Sequence, residues 1–332
     1  MINVNGKKIL FFAPGTVNSY GYEIKKVLES NGAEVRIYEE RPSNYTLLKI
    51  LFRLFKGSVG WFINIYFYYI IKQESQNNFD YIFIIRGEVF SKRIVKKLKD
   101  TYKNAKLILY LWESLKNNDK RDIFFLFDKV FSFEKQDADK YKELIFRPLF
   151  YLKEYSLIAD ETEKYDNDVL FIGTIHSNRF SFISQFKRYF KDNNIKTYYY
   201  MLFKSRILYF KKRLFDKSFK STKMKDFHYV RLDKKEVLRN VARSRISLDL
   251  QHPKQTGLTI RSIEMLGAKR KLITTNSEIK TYDFYDANNI LVIDNKTFTL
   301  DKSFVGSPYK NIDKLIYERY SIQSWINDIF SE

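Results

Sequence analysis

The chain has 332 residues, more than one hydrophobic core usually organises, so two domains are expected. It carries 59 Lys+Arg against 39 Asp+Glu, a formal net charge of +20, which should attract anions such as a phosphorylated substrate, anionic lipid or nucleic acid, although an AT-rich coding bias toward Lys would supply such charge equally well. The absence of cysteine excludes disulfides, thiolate metal sites and Cys nucleophiles, and the three histidines, His176, His228 and His252, are too scattered for a local metal motif.

The opening MINVNGKKILFFAPG has an apolar run too short for a signal peptide, ended by Pro14, and a cytoplasmic protein is expected. KILFFA (8–13) reads as a buried strand, 20–31 has helical spacing closed by Gly32, and AEVRIY (33–38) reads as the next strand. The loop between them, PGTVNSYG, lacks GxGxxG, so a dinucleotide site of the dehydrogenase kind is not supported.

The stretch 45–73 is rich in Leu, Phe and Tyr. Its uninterrupted apolar part, 58–71, is about 14 residues, below the roughly 20 that span a bilayer. Lys49, Arg53 and Lys56 recur along one helical face, with Trp61 following, a pattern suited to an anionic membrane surface. The same spacing also suits a helix that simply covers one side of a sheet.

Further strands are read at 80–87, 105–112 and 129–133, with a basic helix at 91–102 that Ser91 can cap. Each strand runs into a polar cluster: Arg86-Gly87-Glu88, Glu113-Ser114, and Glu134 to Asp137. Alternating strands and helices imply a mostly parallel sheet, with such clusters at its carboxyl edge. Residues 1–150 are expected as the first domain, and the polar, weakly periodic 151–167 as a linker.

The second alternation starts with the strand 168–172. It breaks at Gly173-Thr174-Ile-His176-Ser-Asn-Arg179, resumes as a helix to 192, and continues as a strand at 196–200. Residues 204–225 hold nine Lys/Arg and one acid, Asp216, interleaved with aromatic and aliphatic residues. Such a segment suits a phospholipid surface, a lipid diphosphate or nucleic acid, and equally a solvated helix with snorkelling lysines. No nucleic-acid recognition motif accompanies the charge, so nucleic acid is not expected as a partner.

A helix at 233–242 precedes the strand 246–250. A polar turn with Gln255, Thr256 and Gly257 follows, then a helix from Thr259 to Gly267 and a strand at 271–274. A strand-turn-helix-strand unit puts a helix N-terminus beside the carboxyl edge of a parallel sheet, where backbone N–H groups and the helix dipole favour phosphate. The chain closes with an expected helix over 311–332 that packs back on the body.

The run TGLTIRSIEMLGAKRKLITTN (256–276), together with YLWES, KVFSFEKQDADKY, RPLFY and FIGTIHSNR, resembles two-domain glycosyltransferases of the GT-B fold. It is most similar to the CgeB-like group and to the CpsH-like proteins of bacterial capsule and lipopolysaccharide biosynthesis. The resemblance implies an α/β protein with two Rossmann-like parallel-sheet domains facing across a cleft, 1–150 on the acceptor side and 168–310 on the nucleotide-sugar donor side.

It further implies a donor site of Gly173, Thr174, His176, Arg179, Gln255, Thr256, Gly257, Thr259, Arg261 and Glu264, with Glu264 on the ribose hydroxyls. Arg261, one turn earlier, can pair with diphosphate, and Arg261 and Glu264 alone would also make an ordinary surface ion pair. The retaining pattern has a second acid eight residues before the Glu. Thr256 stands there instead, which favours inversion and a general base.

Glu88 and Glu113, each following a strand, are alternative base candidates. No DxD metal motif precedes a GT-A type site, so leaving-group stabilisation by Arg and helix dipole, with no metal and no cofactor beyond the nucleotide-sugar substrate, is expected. The acceptor is expected to be lipid-linked or a glycan, with Lys49, Arg53, Lys56 and Trp61 forming a membrane or acceptor surface at the inner membrane face. A non-catalytic basic module binding nucleic acid or anionic membrane is the alternative function.

Overall fold

Strands form where apolar runs are short and unbroken, and they assemble into two all-parallel sheets. The computed structural model describes residues 4–15, 19–42, 60–159, 164–175, 179–251, 255–294 and 300–331. The described residues within Met1–Leu149, Pro253–Gly257 and Ile322–Glu332 form unit 1, and those within Phe150–His252 and Leu258–Ser321 form unit 2.

Unit 1 contains β1 (Lys8–Ala13), α1 (Tyr20–Ser30), β2 (Glu34–Glu39), α2 (Gly60–Gln73), β3 (Tyr81–Ile85), α3 (Lys92–Thr101), β4 (Lys106–Leu111), β5 (Lys129–Ser132), α4 (Lys135–Lys140) and β6 (Leu144–Phe146). The sheet order is β2-β1-β3-β4-β5-β6, all parallel, with β1 Ile9 opposite Tyr81 of β3. Alternate residues serve opposite faces. Leu10, Phe12, Ile82 and Ile84 join a core with Phe67 of α2 and Ile94 of α3.

On the other side, Phe83 and Tyr110 meet Trp325, which is fully buried with its ring 4.7 Å from that of Tyr110. Truncating such a buried aromatic typically costs about 3–5 kcal/mol. Helix starts follow local chemistry: the Ser19 and Ser91 side chains accept the N–H groups of Tyr22 and Ile94 as caps. Gly32 closes α1 with φ of +87°, a conformation that glycine adopts at no steric cost.

Unit 2 contains α5 (Lys153–Leu157), β7 (Asn167–Thr174), α6 (Arg179–Asp192), β8 (Thr197–Leu202), α7 (Arg206–Phe215), α8 (Lys234–Ala242), β9 (Ser244–Asp249), α9 (Ile260–Gly267), β10 (Lys271–Thr274), β11 (Ile290–Val292), α10 (Lys302–Gly306) and α11 (Lys314–Arg319). Its sheet order is β11-β10-β9-β7-β8, again all parallel. Phe171, Ile246, Leu248 and Ile273 share a core with Ile183, Phe186 and Phe190 of α6.

Four expectations are corrected. The stretch 151–167 is not simply a linker, because Tyr151, Leu152, Tyr155 and Ile158 are buried and α5 lies within it. The end of the chain is two helices, α11 and α12 (Ile322–Ile329), and not one. They part at Tyr320-Ser321, where the Tyr151 N–H donates to the Tyr320 carbonyl and Tyr151 bridges to Ser321; α12 belongs to unit 1.

The turn residues 255–257, expected in the donor domain, also belong to unit 1. Finally, β6 was not anticipated; at three residues it is too short to show a period. Among the described residues no helix is long and apolar enough to cross a membrane.

Candidate functional site

In open parallel sheets, ligands bind outside the carboxyl ends of the strands where the strand order reverses. In unit 2 this switch lies between β7 and β9. Gly173 and Thr174 end β7, and Asp249 ends β9. Arg179, the first residue of α6, joins the two ends: one terminal nitrogen donates to the Thr174 carbonyl at 3.2 Å and the other to the Leu250 carbonyl.

The Arg179 Nε is buried with no hydrogen-bond partner among the described residues. Burial holds the Arg179 pKa below its ordinary value, and the charge of Asp249 opposes that shift.

Asp249 also fixes the start of α9. Its Oδ2 accepts the hydroxyls of Thr259 at 2.6 Å and Ser262 at 2.9 Å, while Thr259 caps the helix by accepting the Ser262 N–H. Thr is a favoured cap because its oxygen satisfies an N–H left unpaired in the first turn. The positive end of the α9 dipole therefore stands at the carboxyl edge of β9.

One turn on, Arg261 lies 2.9 Å from Glu264. Glu264 is buried, and the Tyr155 hydroxyl hydrogen-bonds to both it and Arg261. Burial first, and then the Glu264 charge, raise the Tyr155 pKa, so that phenol stays a donor. Arg261 is the outward member of this trio.

Unit 1 has its own cluster at the switch between β1 and β3. Glu40, directly after β2, is fully buried. It accepts the Arg86 Nε at 2.8 Å, a second Arg86 nitrogen at 2.5 Å, and the Glu88 backbone N–H. Arg86 follows β3 with φ of +71°, a left-handed conformation that non-glycine side chains rarely adopt. Its N–H donates to the Tyr110 carbonyl at 2.8 Å, and the Glu40 contacts hold its side chain.

Glu88 pairs with Arg41 and lies 3.5 Å from Arg86, and Glu113 lies 3.9 Å from Arg86. Burial pushes the Glu40 carboxyl above its ordinary range, with the Arg86 charge and hydrogen bonds opposing.

A second unit 1 carboxylate grips the turn after β9. Glu134, buried just beyond β5, accepts the Thr256 N–H at 3.1 Å, the Thr256 hydroxyl at 2.5 Å and the Gly257 N–H at 2.6 Å. A Cβ on Gly257 would come within 2.7 Å of the Phe133 ring, so only glycine lets this backbone approach.

The residues expected from the sequence thus fall into groups. Gly173, Thr174, Arg179, Thr259, Arg261 and Glu264 lie in unit 2, around the carboxyl ends of β7 and β9 and on α9. Gln255, Thr256 and Gly257 lie in unit 1 with Glu134, and Glu88 and Glu113 gather there around Arg86. Trp61 is exposed on α2. His176, Lys49, Arg53 and Lys56 lie outside the described residues.

Sequence reasoning missed Glu40, Asp249 and Tyr155, and gave Glu134 no role. For Glu40, Asp249 and Glu134 the usable signal was an acid at, or directly after, the last residue of a strand. Tyr155 had none, because it sits in the stretch that reads as a linker.

No protein-family model matches the sequence, and no curated protein matches it. Solved structures do match. A glycosyltransferase from Rickettsia africae superposes with a TM-score of 0.56 at 14% identity, covering 98% of this chain and 93% of that one. The HepE protein of Anabaena in complex with UDP-glucose has a TM-score of 0.56 at 9% identity, covering 97% and 98%. The N-terminal domain of Candida albicans trehalose-6-phosphate phosphatase has a TM-score of 0.63 at 12% identity, covering 98% and 97%. At such identities the likeness is one of fold: the chain has two Rossmann-like parallel-sheet units of the GT-B kind.

Proposed function

We propose that this GT-B chain is a glycosyltransferase that moves a sugar from a nucleotide-sugar donor to a lipid-linked or glycan acceptor in bacterial surface polysaccharide biosynthesis. The observation that carries the reading is the cluster at the switch point of unit 2, where Arg179 spans two strand ends and Asp249 pins the N-terminus of α9 beside them. Cation, helix dipole and neighbouring backbone N–H groups together suit a diphosphate. Among proteins sharing the fold, the HepE structure holds UDP-glucose, which agrees with a nucleotide-sugar donor.

In this reading Arg261 turns to the donor diphosphate, and the Glu264 carboxylate it releases accepts the ribose hydroxyls, with Tyr155 keeping that carboxylate in place. Arg179 and the α9 N-terminus stabilise charge growing on the leaving diphosphate. The acceptor oxygen bonds to the anomeric carbon as the bond from that carbon to the diphosphate oxygen breaks, and the acceptor proton passes to a carboxylate.

Glu113 suits that last role better than Glu88. Its side chain is 34% exposed against 22%, and among the described residues its one ion pair is a long one to Arg86, whereas Glu88 is held by Arg41. The absence of an acid at position 256 supports inversion, and the exposed Trp61 face of α2 supports an acceptor or membrane side in unit 1.

The test is a thermal-shift series with UDP, GDP, CMP and dTDP. At least one is expected to raise the melting temperature, and Glu264→Ala to remove that rise while keeping the fold. Stabilisation by none of the four, together with salt-sensitive RNA retention, would sink the transferase reading in favour of a binding module. Once a donor is identified, Glu113→Gln should cut turnover about 10²- to 10⁴-fold and Glu88→Gln less. Full activity in both variants removes both as bases.

A further inference from the structure

Helix α7 departs from the rule that a helix on a parallel sheet hides its apolar stripe. Only Tyr209 is buried, packed by Phe203 and Phe227, with its hydroxyl donating to the Thr222 carbonyl at 2.9 Å. Ile207 is 83% exposed, Phe210 51%, Leu214 75% and Phe215 81%. At 100° per residue, Ile207, Phe210 and Leu214 form one stripe; Lys211 flanks it on one side, and Arg206 and Arg213 on the other. Lys211 and Arg213 enter no ion pair with a described residue. The one acid of the segment, Asp216, is engaged by Lys212 at 3.1 Å.

We infer that α7 and the basic turn after it are an interfacial lipid-binding surface, with α7 lying in the plane of an anionic phospholipid bilayer. Its apolar stripe enters the boundary between headgroups and acyl chains, while the flanking cations meet lipid phosphates. Three observations select this occupant. A patch of large apolar side chains this exposed marks an interaction surface.

The cations bordering it require an anionic partner, which disfavours a second copy, since a self-complementary contact would bring Lys211 and Arg213 of both copies together. Phe210 and Phe215 could each stack on a base, but Ile207 and Leu214, the most exposed members of the stripe, gain from acyl chains and not from stacking, which favours lipid over single-stranded nucleic acid. Helix α2 in unit 1 also exposes Trp61, Phe62, Ile65 and Tyr69, yet its one basic residue is Lys72, at its end, so α7 is the better match to anionic lipid.

The inference stands apart from the donor site, and its test is read separately. The full chain is sedimented with vesicles of phosphatidylcholine alone and with vesicles of equal parts phosphatidylcholine and phosphatidylglycerol. Retention on the mixed vesicles and not on phosphatidylcholine is expected, falling as salt rises.

The double variant Leu214→Ser, Phe215→Ser should weaken retention roughly tenfold or more. Lys211→Glu with Arg213→Glu should do the same by removing the charge. Both should keep the nucleotide thermal shift of the parent, since no donor-site residue is touched. Equal retention on both vesicle types overturns the proposal. So does unchanged retention of the Ser double variant, or loss of retention only on Trp61→Ser. No vesicle binding alongside a dimer that the Ser variant dissociates, or alongside RNA binding that it spares, overturns it too.

Discussion

The two sheets end in clusters that look alike in composition and differ in wiring. Each sets an acid and an arginine beside its switch point: Glu40 and Arg86 in unit 1, Asp249 and Arg179 in unit 2. In unit 1 the guanidinium meets the carboxylate directly at 2.8 Å and 2.5 Å, so the charges cancel where they stand. In unit 2 the carboxylate holds two hydroxyls, and the guanidinium donates to carbonyl oxygens. The first arrangement is closed upon itself and fixes a strained loop. The second leaves a cation whose hydrogen bonds among the described residues go to neutral carbonyls, at the place where a parallel sheet takes an anion.

That contrast breaks first at Glu40. Glu40→Ala leaves Arg86 without its buried partner, in a backbone conformation that the pair sustains, and should destabilise unit 1 by about 3–5 kcal/mol. A shifted urea midpoint would show it, and an unchanged midpoint would mean that the pair is dispensable. Asp249→Ala should cost less, about 2 kcal/mol, because the lost hydrogen bonds come from neutral hydroxyls. It should also lower the nucleotide thermal shift by loosening the first turn of α9. If stability falls as far as with Glu40→Ala, the proposed difference between the clusters is wrong.

The smallest effect is a pH dependence at Glu134. Burial pushes its carboxyl above the ordinary 4.5, although the Thr256 hydroxyl and the Gly257 and Thr256 N–H groups pull the other way. The folded chain therefore keeps this proton to higher pH than the unfolded chain does. The stability so gained is complete below the ordinary glutamate value and is lost as pH rises through the folded value. Denaturation of the parent and of Glu134→Gln across that range should show the parent's relative stability declining with pH. A constant difference would mean that folding leaves this carboxyl unshifted, and a difference rising with pH that folding lowers it; either outcome contradicts the expectation.

Much of the fold was legible because burial imposes a period. After an exposed lysine, the runs ILFFA (9–13) and LILYL (107–111) are buried at successive positions, as strands covered on both faces must be, and alternation with helices then implies parallel sheets. Ser91 and Thr259 mark helix starts because their side chains can replace a missing backbone partner. The strand-turn-helix pattern put Gly173, Arg179, Thr259 and Arg261 beside strand ends, while their choice as donor-site candidates came from the family resemblance; all lie near the carboxyl ends of the unit 2 strands or on α9.

Other features had no local signal. The bond from the Arg179 guanidinium to Leu250 spans 71 positions, and that from the Gly257 N–H to Glu134 spans 123. Periodicity reports which faces are apolar and is silent on what covers them. It made 45–73 and 204–225 look alike as basic, aromatic segments, and it could not show that α7 buries Tyr209 and leaves its other apolar side chains exposed. Sequence by itself determined most of the elements, β6 and α5 excepted, and the class of sheet, since these follow from hydrophobic spacing and capping within a dozen residues. Strand order, the burial of Glu40 and Glu264, and the transfer of 255–257 and α12 to unit 1 were decided by tertiary structure, because each depends on pairings between distant segments.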